Sequence, residues 1–194
     1  REICDEFDLL LVYDEVQVGC GRTGTLWAYE QEDVAPDILT LAKALAGGPP
    51  IGAMLTTETL AKRLGPGSHG STFGGNPLIC AAALAAMQTM VNDGILDNCR
   101  AMGDYLTEQL ERLKSKYAFM KDVRGRGLIV GMGLAIEGGP LVNAAMERGL
   151  LINCTVDKVL RFLPPLIVSR AEIDEAMMIL DGVVATVDTT DPAS

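Results

Sequence analysis

Apolar residues are arranged in two patterns along this chain. Short unbroken runs typical of strands alternate with longer stretches that have an apolar residue every three or four positions. Residues 9–13 are five consecutive apolar or aromatic residues, which predicts a strand buried on both faces, as in a parallel sheet. Residues 38–41 and 50–56 predict two further short strands. This alternation of strands with helical patterns predicts an α/β fold.

Three longer segments have the sequence signals of helices. Asn76 followed by Pro77 is typical of a helix start, and the alanine-rich stretch that runs on to Val91 predicts a buried helix. Ser169 with Glu172 three positions later predicts a capping box, which opens a helix reaching about Val187, with a frayed tail at 188–194. A third helix has one apolar face, formed by Ile95, Cys99, Met102, Leu106, Leu110 and Leu113.

The boundary between two domains is predicted between the alanine-rich helix and the helix with one apolar face. We expect residues 1–93 to belong to a larger sheet domain and residues 94–194 to form a small C-terminal α/β domain. With 194 residues and 48% hydrophobic residues, the chain is long enough and apolar enough to bury a core.

Charge and cysteine usage exclude several classes of function. The net charge of −10 argues against nucleic acid and anionic membranes as partners, and no apolar run is long enough to span a bilayer. The five scattered cysteines form no CxxC pair, which indicates reduced thiols in a cytoplasmic protein. A single histidine, His69, rules out a metal site built from several histidines, so we expect no metal.

Lys43 is the most informative single residue of the sequence. It follows an apolar stretch and precedes small residues and glycines, which predicts a buried amine with open space beside it. Burial lowers the pKa of a lysine, and a neutral amine can attack a carbonyl group. The alternative for the isolated motif is a lysine whose charged end extends from a strand end into water.

Polar residues suited to ligand binding lie on either side of this lysine. Asp14 ends the first predicted strand, and the carboxyl ends of strands are where open α/β sheets bind ligands. A glycine-rich segment, residues 19–24, follows it. Further along, residues 70–77 combine hydroxyl groups and unhindered backbone amides just before a helix start, a combination that favours an anion site.

Five motifs in order carry a resemblance to a known family. They read DEVQ, GRTG, PDILTLAKALAGG with PIGA after it, GSTFGGNP and LRFLPPL. Together they resemble the class III (ornithine-type) aminotransferases, over residues 1 to about 187. That family implies fold type I, with part of a large-domain mixed sheet and helices followed by a small C-terminal α/β domain. It also implies pyridoxal 5'-phosphate as the cofactor.

The resemblance assigns a role at the cofactor to five residues. Lys43 would link covalently to the cofactor and then shuttle a proton, Asp14 would pair with the pyridine nitrogen, and Gln17 would hydrogen-bond the phenolic oxygen. Ser71 and Thr72 would hold the phosphate, and the matching threonine of the family reaches into the partner subunit's site, which implies a homodimer.

Two more residues lie within these motifs. Arg161 is a lone charge in an apolar strand, where a charged group must be paired. The resemblance implies that it binds a substrate carboxylate through two parallel hydrogen bonds, and a structural ion pair is the alternative. Glu15, next to Asp14, is interpreted as structural.

The amino-acid sequences of these motifs favour one particular reaction within the family. We expect transfer of the terminal amino group of N-acetylornithine to 2-oxoglutarate, a step of arginine biosynthesis. Ornithine, succinylornithine and 4-aminobutyrate are alternative donors, and a related aminomutase reaction is a second class. Family members are roughly twice this long, so a third hypothesis is that this chain is a C-terminal half that is folded but inactive by itself.

Overall fold

The computed structural model describes residues 1–186, and this part of the chain divides into two compact units. The first is Arg1–Leu96 and the second begins at Asp97. This division lies close to the boundary expected at residue 93. That the two units are the large-domain portion and the small domain of the family stays a prediction.

A mixed three-stranded sheet forms the centre of the first unit. The regular elements of this unit, in chain order, are α1 (Glu2–Glu6), β1 (Val12–Asp14), β2 (Ile38–Leu41), β3 (Ala53–Thr56), α2 (Glu58–Ala61) and α3 (Pro77–Asn92). β1 runs parallel to β2, β3 runs antiparallel to β2, and the strand order is β1-β2-β3. Two short 3-10 turns, Ala28–Gln31 and Lys43–Ala46, interrupt the connections.

The start of α3 follows the sequence signal. The Asn76 side chain accepts a hydrogen bond from the backbone N–H of Ile79 at 3.1 Å, and Pro77 occupies the first helical position. Asn76 therefore satisfies one of the backbone donors that a helix start leaves without a partner.

Burial in the first unit differs from two expectations. Leu9, Leu10 and Val12 were expected to be buried on both faces of the sheet, yet each is more than half exposed. The alanine-rich helix α3 was also expected to be buried, but it buries only Ala83 and Met90. An unbroken apolar pattern shows that a segment suits burial, whereas actual burial requires a neighbour on each face, which these segments lack among the described residues.

The second unit is built on a four-stranded antiparallel sheet. Its elements are α4 (Ile95–Lys116), β4 (Met120–Arg126), β5 (Ile129–Leu134), α5 (Gly139–Glu147), β6 (Asn153–Thr155), β7 (Val159–Phe162) and α6 (Arg170–Val184). The strand order is β4-β5-β7-β6, and helices α4, α5 and α6 contribute to the core.

The predicted apolar face of α4 forms part of this core. Cys99, Leu106, Leu110 and Leu113 are all buried, and they join a hydrophobic cluster with residues of the sheet and of α6. Burial of such a face supplies most of the stability of an amphipathic helix. The expected apolar face is therefore confirmed.

Helix α6 begins at the predicted capping box. The Ser169 hydroxyl accepts the N–H of Glu172, and the Glu172 carboxylate accepts the N–H of Ser169 at 2.7 Å. This hydrogen bond and a second one from the Ser169 hydroxyl hold the pKa of Glu172 below its ordinary value. The expected helix end at Val187 and the tail at 188–194 lie outside the described residues.

No single helix among residues 1–186 is both long enough and apolar enough to cross a membrane. Helices α3 and α4 reach that length and composition only when they are counted together as one broken pair.

Candidate active site

Lys43 lies two residues after the end of β2, as the first residue of the Lys43–Ala46 turn. Its backbone φ is +43°, a left-handed conformation that a residue with a Cβ atom rarely adopts. Such strain is found preferentially at functional sites. The expectation of a buried amine is wrong for this chain, because Lys43 is exposed. The turn places the lysine beyond the apolar strand, and the buried residues of the turn are Leu45 and Ala46.

Lys43 lines an open cavity of about 730 Å³ in the first unit. The segment before α3 also lines this cavity, through residues that include Ser71, Phe73 and Gly75. Pro49 and other residues that follow the lysine turn complete the lining. The fold thus brings the amine and the hydroxyl-rich segment, which are distant in sequence, to one cavity.

Asp14 lies at the carboxyl end of β1, on the strand next to the one that leads to Lys43. Its partner across the parallel pair is Thr40, three residues before the lysine. The carboxylate is exposed, and its Oδ1 accepts the N–H of Val16 at 3.0 Å. Gln17 is half-buried in the turn that follows. Neither Asp14 nor Gln17 lines the cavity that Lys43 and Ser71 share.

The two hydroxyl residues predicted for phosphate binding occupy different positions. The Ser71 hydroxyl accepts the N–H of Gly74 at 2.9 Å, so Ser71 closes its own turn while its O–H can still donate to a ligand. Thr72 is exposed and is not part of the cavity wall. The geometry therefore associates Ser71, but not Thr72, with the lysine of the same chain.

Arg161 belongs to the second unit, where it is half-buried in β7. Its Nε donates to Oδ1 of Asn153 on the paired strand β6 at 3.2 Å. No carboxylate among residues 1–186 lies within ion-pair distance of this guanidinium. Arg161 and Asn153 also line an apolar groove of about 390 Å³ within this unit. The structural ion pair considered from sequence is thus not formed in the described chain.

Glu15 is a residue whose importance the sequence did not reveal. Within residues 1–186 it is the one charged side chain that is buried, with 4% of its surface exposed. Its carboxylate accepts the backbone N–H groups of Ala28 and Tyr29 at 2.7 and 2.8 Å. The signal available in the sequence was Gly19 four residues later, which makes room for the Glu15 side chain.

Cys20 is buried close to this carboxylate. Burial raises the pKa of the Cys20 thiol to about 11, and the negative charge of Glu15 adds to the shift. The thiol is therefore protonated at neutral pH and is a poor nucleophile.

The described residues contain no group of histidine, cysteine, aspartate or glutamate side chains able to hold a metal ion, and the structure forms no disulfide between the five cysteines.

A comparison of the sequence with known protein families supports the family resemblance that the motifs indicated. The sequence profile described as aminotransferase class-III matches residues 1–184. The chain belongs to the class III aminotransferases.

Curated relatives of this class III chain are acetylornithine aminotransferases. The enzyme of Methanocaldococcus jannaschii is 51% identical over 183 residues, which cover 94% of this chain and 46% of the relative. The enzyme of a Synechocystis species is 52% identical over 191 residues, covering 96% and 44%. The chain thus spans about half the length of the curated relatives it matches.

Solved structures support the same fold. N-acetylornithine aminotransferase from Stenotrophomonas maltophilia superposes with a TM-score of 0.86 at 39% identity, covering 95% of this chain and 49% of that one. Ornithine aminotransferase from Plasmodium yoelii gives a TM-score of 0.90 at 34% identity, covering 95% and 50%. The expected fold, part of a fold-type I α/β transferase, is confirmed.

Proposed function

We propose that the protein to which this chain corresponds transfers an amino group from N-acetylornithine to 2-oxoglutarate with pyridoxal phosphate as cofactor. The observation that carries the proposal is the cavity shared by Lys43 and Ser71, in a chain about 50% identical to acetylornithine aminotransferases. We further propose that the first unit is the C-terminal portion of the cofactor-binding domain and the second the small C-terminal domain.

The residues of the first unit fit the chemical groups of pyridoxal phosphate. Lys43 offers an amine, Ser71 offers a hydroxyl donor, and Asp14 offers a carboxylate one strand away. When it is bound, the cofactor supplies the electron sink for the reaction. Lys43 would anchor the cofactor through Nζ. The same Nζ, once released by substrate, would move the proton away from the substrate carbon that bears the amine. Proton transfer of this kind contributes roughly 10²- to 10⁴-fold in rate.

Asp14 and Gln17 would orient the ring. A carboxylate beside the pyridine nitrogen keeps that nitrogen protonated, because the negative charge favours the cationic form. The Asp14 carboxylate is exposed at the carboxyl end of β1, where a ring nitrogen can reach it. Gln17 would donate a hydrogen bond to the phenolic oxygen from the turn that follows. Glu15 would not touch the cofactor.

We propose a homodimer in which the phosphate site is shared between subunits. Thr72 is exposed outside the cavity of its own chain, a position from which it could serve a partner's site. Helix α3, which follows directly, leaves Leu78, Leu84 and Val91 more than half exposed. Exposed apolar side chains of this kind favour burial against another chain. Leu84→Glu should therefore reduce self-association in analytical ultracentrifugation, whereas Met178→Glu, at an exposed position on α6, should not.

Arg161 would bind the substrate carboxylate. Because Nε is already engaged by Asn153, its two terminal nitrogens remain available for a paired interaction with a carboxylate. We predict that Arg161→Lys in the assembled enzyme raises KM for 2-oxoglutarate more than it lowers kcat. Lysine keeps the charge, but it lacks the planar pair of donors.

Borohydride trapping tests the cofactor assignment. The chain is incubated with millimolar pyridoxal phosphate and reduced, and the labelled peptides are identified by mass spectrometry. Lys43 should be labelled in preference to Lys62, an exposed lysine at the end of α2. Lys43→Ala should abolish that specific label, and the matched variant Lys62→Ala should leave it. Equal labelling of both lysines in the assembled enzyme would refute the assignment.

The competence of this chain by itself is a separate proposal. We propose that the 194-residue chain binds pyridoxal phosphate weakly, since it spans only about half of its relatives and Lys43 is exposed. A tight complex with one cofactor per chain would overturn this.

Ornithine is the second candidate donor, because ornithine aminotransferases are among the solved structures that share the fold. Comparing kcat/KM for the two donors in the assembled enzyme distinguishes them.

A further inference from the structure

Glu15 connects three separate segments of the first unit through its side chain and its backbone. Its carboxylate Oε2 accepts the N–H of Ala28 at 2.7 Å, and Oε1 accepts the N–H of Tyr29 at 2.8 Å. A buried carboxylate is tolerated only when it is hydrogen-bonded, and bonds to an ionised acceptor are among the stronger ones in proteins. Glu15 is thus firmly attached to the Ala28–Gln31 turn.

The backbone of Glu15 makes the other two connections. Its N–H donates to the carbonyl oxygen of Thr40 in β2 at 3.0 Å, and its carbonyl oxygen accepts the N–H of Gly19 at 3.0 Å. One residue therefore holds the end of β1, the neighbouring strand and both ends of the loop formed by residues 16–27.

Close packing around Glu15 shows that the loop is built against this side chain. A Cβ atom at Gly19 would lie 2.9 Å from the carbonyl oxygen of Glu15 and 3.0 Å from Oε2, too close for any other residue without a shift. The rings of Tyr13 and Tyr29, with centroids 6.3 Å apart, attach the same turn to β1 at a second point. The loop is thereby closed at its base.

The two residues proposed to orient the cofactor ring lie on either side of this connection. Asp14 directly precedes Glu15, and Gln17 follows it by two positions. Asp14 is further fixed by the hydrogen bond that Val16 donates to its carboxylate. Functional side chains must be held in one geometry by their supporting residues, since a small displacement costs much of their effect.

We propose that Glu15 is a positioning residue: its buried carboxylate closes the loop of residues 16–27 and so fixes Asp14 and Gln17 in the direction required for the ring. The proposal rests on the proposed function for the roles of Asp14 and Gln17. The hydrogen bonding of Glu15 can be tested without any cofactor. If this position needed only a side chain that fills volume, an uncharged residue would give a more stable fold, because burying a charge costs free energy.

The first experiment measures amide hydrogen exchange by NMR on the 194-residue chain without cofactor. Glu15→Gln replaces one acceptor oxygen by an N–H₂ group, so a backbone donor at Ala28 or Tyr29 loses its partner. Exchange of that amide should rise about tenfold or more, as expected for loss of a hydrogen bond to a charged group, and Val16 should exchange faster as well. Glu30→Gln is the matched control, because the Glu30 carboxylate caps the same turn by accepting the N–H of Trp27 instead of those of Ala28 and Tyr29.

The second experiment measures coupling between Glu15 and Asp14. The pyridoxal phosphate concentration that half-saturates labelling of Lys43 is compared for Asp14→Asn, Glu15→Gln and the double variant. If Glu15 acts through Asp14 and Gln17, the loss in the double variant should be clearly smaller than the sum of the two single losses, since residues that act as one unit are not additive. Fully additive losses would mean an independent role for Glu15 and would overturn the proposal.

The outcomes separate this proposal from the proposed function. Faster exchange at Ala28 or Tyr29 with Val16 unchanged would show that Glu15 only closes the loop, and the positioning role would be refuted. Absence of preferential labelling at Lys43 in the assembled enzyme would count against the proposed function. In that case the exchange at Val16 still decides whether Glu15 holds Asp14 in place.

Discussion

Asp14 and Thr40 face each other across the parallel pair of strands β1 and β2. Thr40 precedes Lys43 by three residues, so the register of two adjacent strands sets the carboxylate and the amine at the same edge of the sheet. The carboxyl ends of parallel strands are the usual ligand-binding edge of an open α/β sheet. The relationship follows from the pairing of β1 with β2.

The left-handed conformation of Lys43 predicts a stability difference between two variants that both lack the amine. A residue with a Cβ atom in this region costs about 1 kcal/mol more than glycine. Lys43→Gly should therefore be more stable than Lys43→Ala by about that amount. Urea unfolding followed by the fluorescence of Trp27, the single tryptophan of the chain, reports the first unit.

A control for this comparison is available in a residue of ordinary conformation. Lys62 has a right-handed backbone at the end of α2, so there glycine should be less stable than alanine. If Lys43→Ala proved as stable as Lys43→Gly, the strain inferred from φ would be contradicted.

The local signals in the sequence were sufficient for several elements. Ile38–Leu41 was predicted with its observed limits, and the caps at Asn76 and Ser169 were correct, because each depends on neighbouring residues alone. The apolar face of α4 was also predictable, since every third or fourth residue of a helix meets the same neighbour.

Burial was less predictable, because it depends on what packs against each segment. Lys43 precedes a glycine turn as expected, yet it is exposed, and α3 is apolar without being covered. The hydrogen bonds of Glu15 were not predictable for a related reason. Their donors, Ala28 and Tyr29, are backbone groups that carry no side-chain signal and lie thirteen and fourteen residues away.

Gly103 of α4 lies against the turn that joins β4 and β5. A Cβ atom there would lie 2.4 Å from the carbonyl oxygen of Gly127, a backbone atom that cannot move aside cheaply. Gly103→Ala should therefore lower the free energy of unfolding by about 1–3 kcal/mol, despite the better helix propensity of alanine. Denaturant unfolding followed by circular dichroism measures the change. Gly139→Ala, in the first turn of α5 with open space around it, should be neutral or slightly stabilising.

Asp181 of α6 provides a pH-dependent contribution to the stability of the second unit. The Lys116 ammonium donates to its carboxylate at 2.7 Å and the Tyr117 hydroxyl donates at 2.7 Å, and these bonds hold the pKa of Asp181 below its ordinary value. A lowered carboxylate pKa stabilises the fold above the unfolded value of about 4, and the contribution disappears as pH falls through the folded pKa.

Asp181→Asn should therefore destabilise the chain at neutral pH, and the difference from the unmodified chain should shrink as the pH falls below about 4. Thermal unfolding across this pH range is the measurement. Asp104→Asn is the control on α4, where the carboxylate is exposed and forms no ion pair within residues 1–186. An equal effect of both variants at every pH would contradict the assignment.

Cys20 and Cys80 should differ strongly in their reaction with iodoacetamide. Cys20 is buried and its thiol has a pKa raised to about 11, whereas Cys80 is exposed on α3. Only the thiolate reacts, so at about pH 8 alkylation of Cys80 should be complete while Cys20 is still unmodified. Time-resolved peptide mass spectrometry measures both sites in one sample. Because the Glu15 charge contributes to the shift, Glu15→Gln should accelerate the reaction of Cys20 and leave that of Cys80 unchanged. Equal rates at the two cysteines in the unmodified chain would show that the loop of residues 16–27 does not stay closed over Cys20.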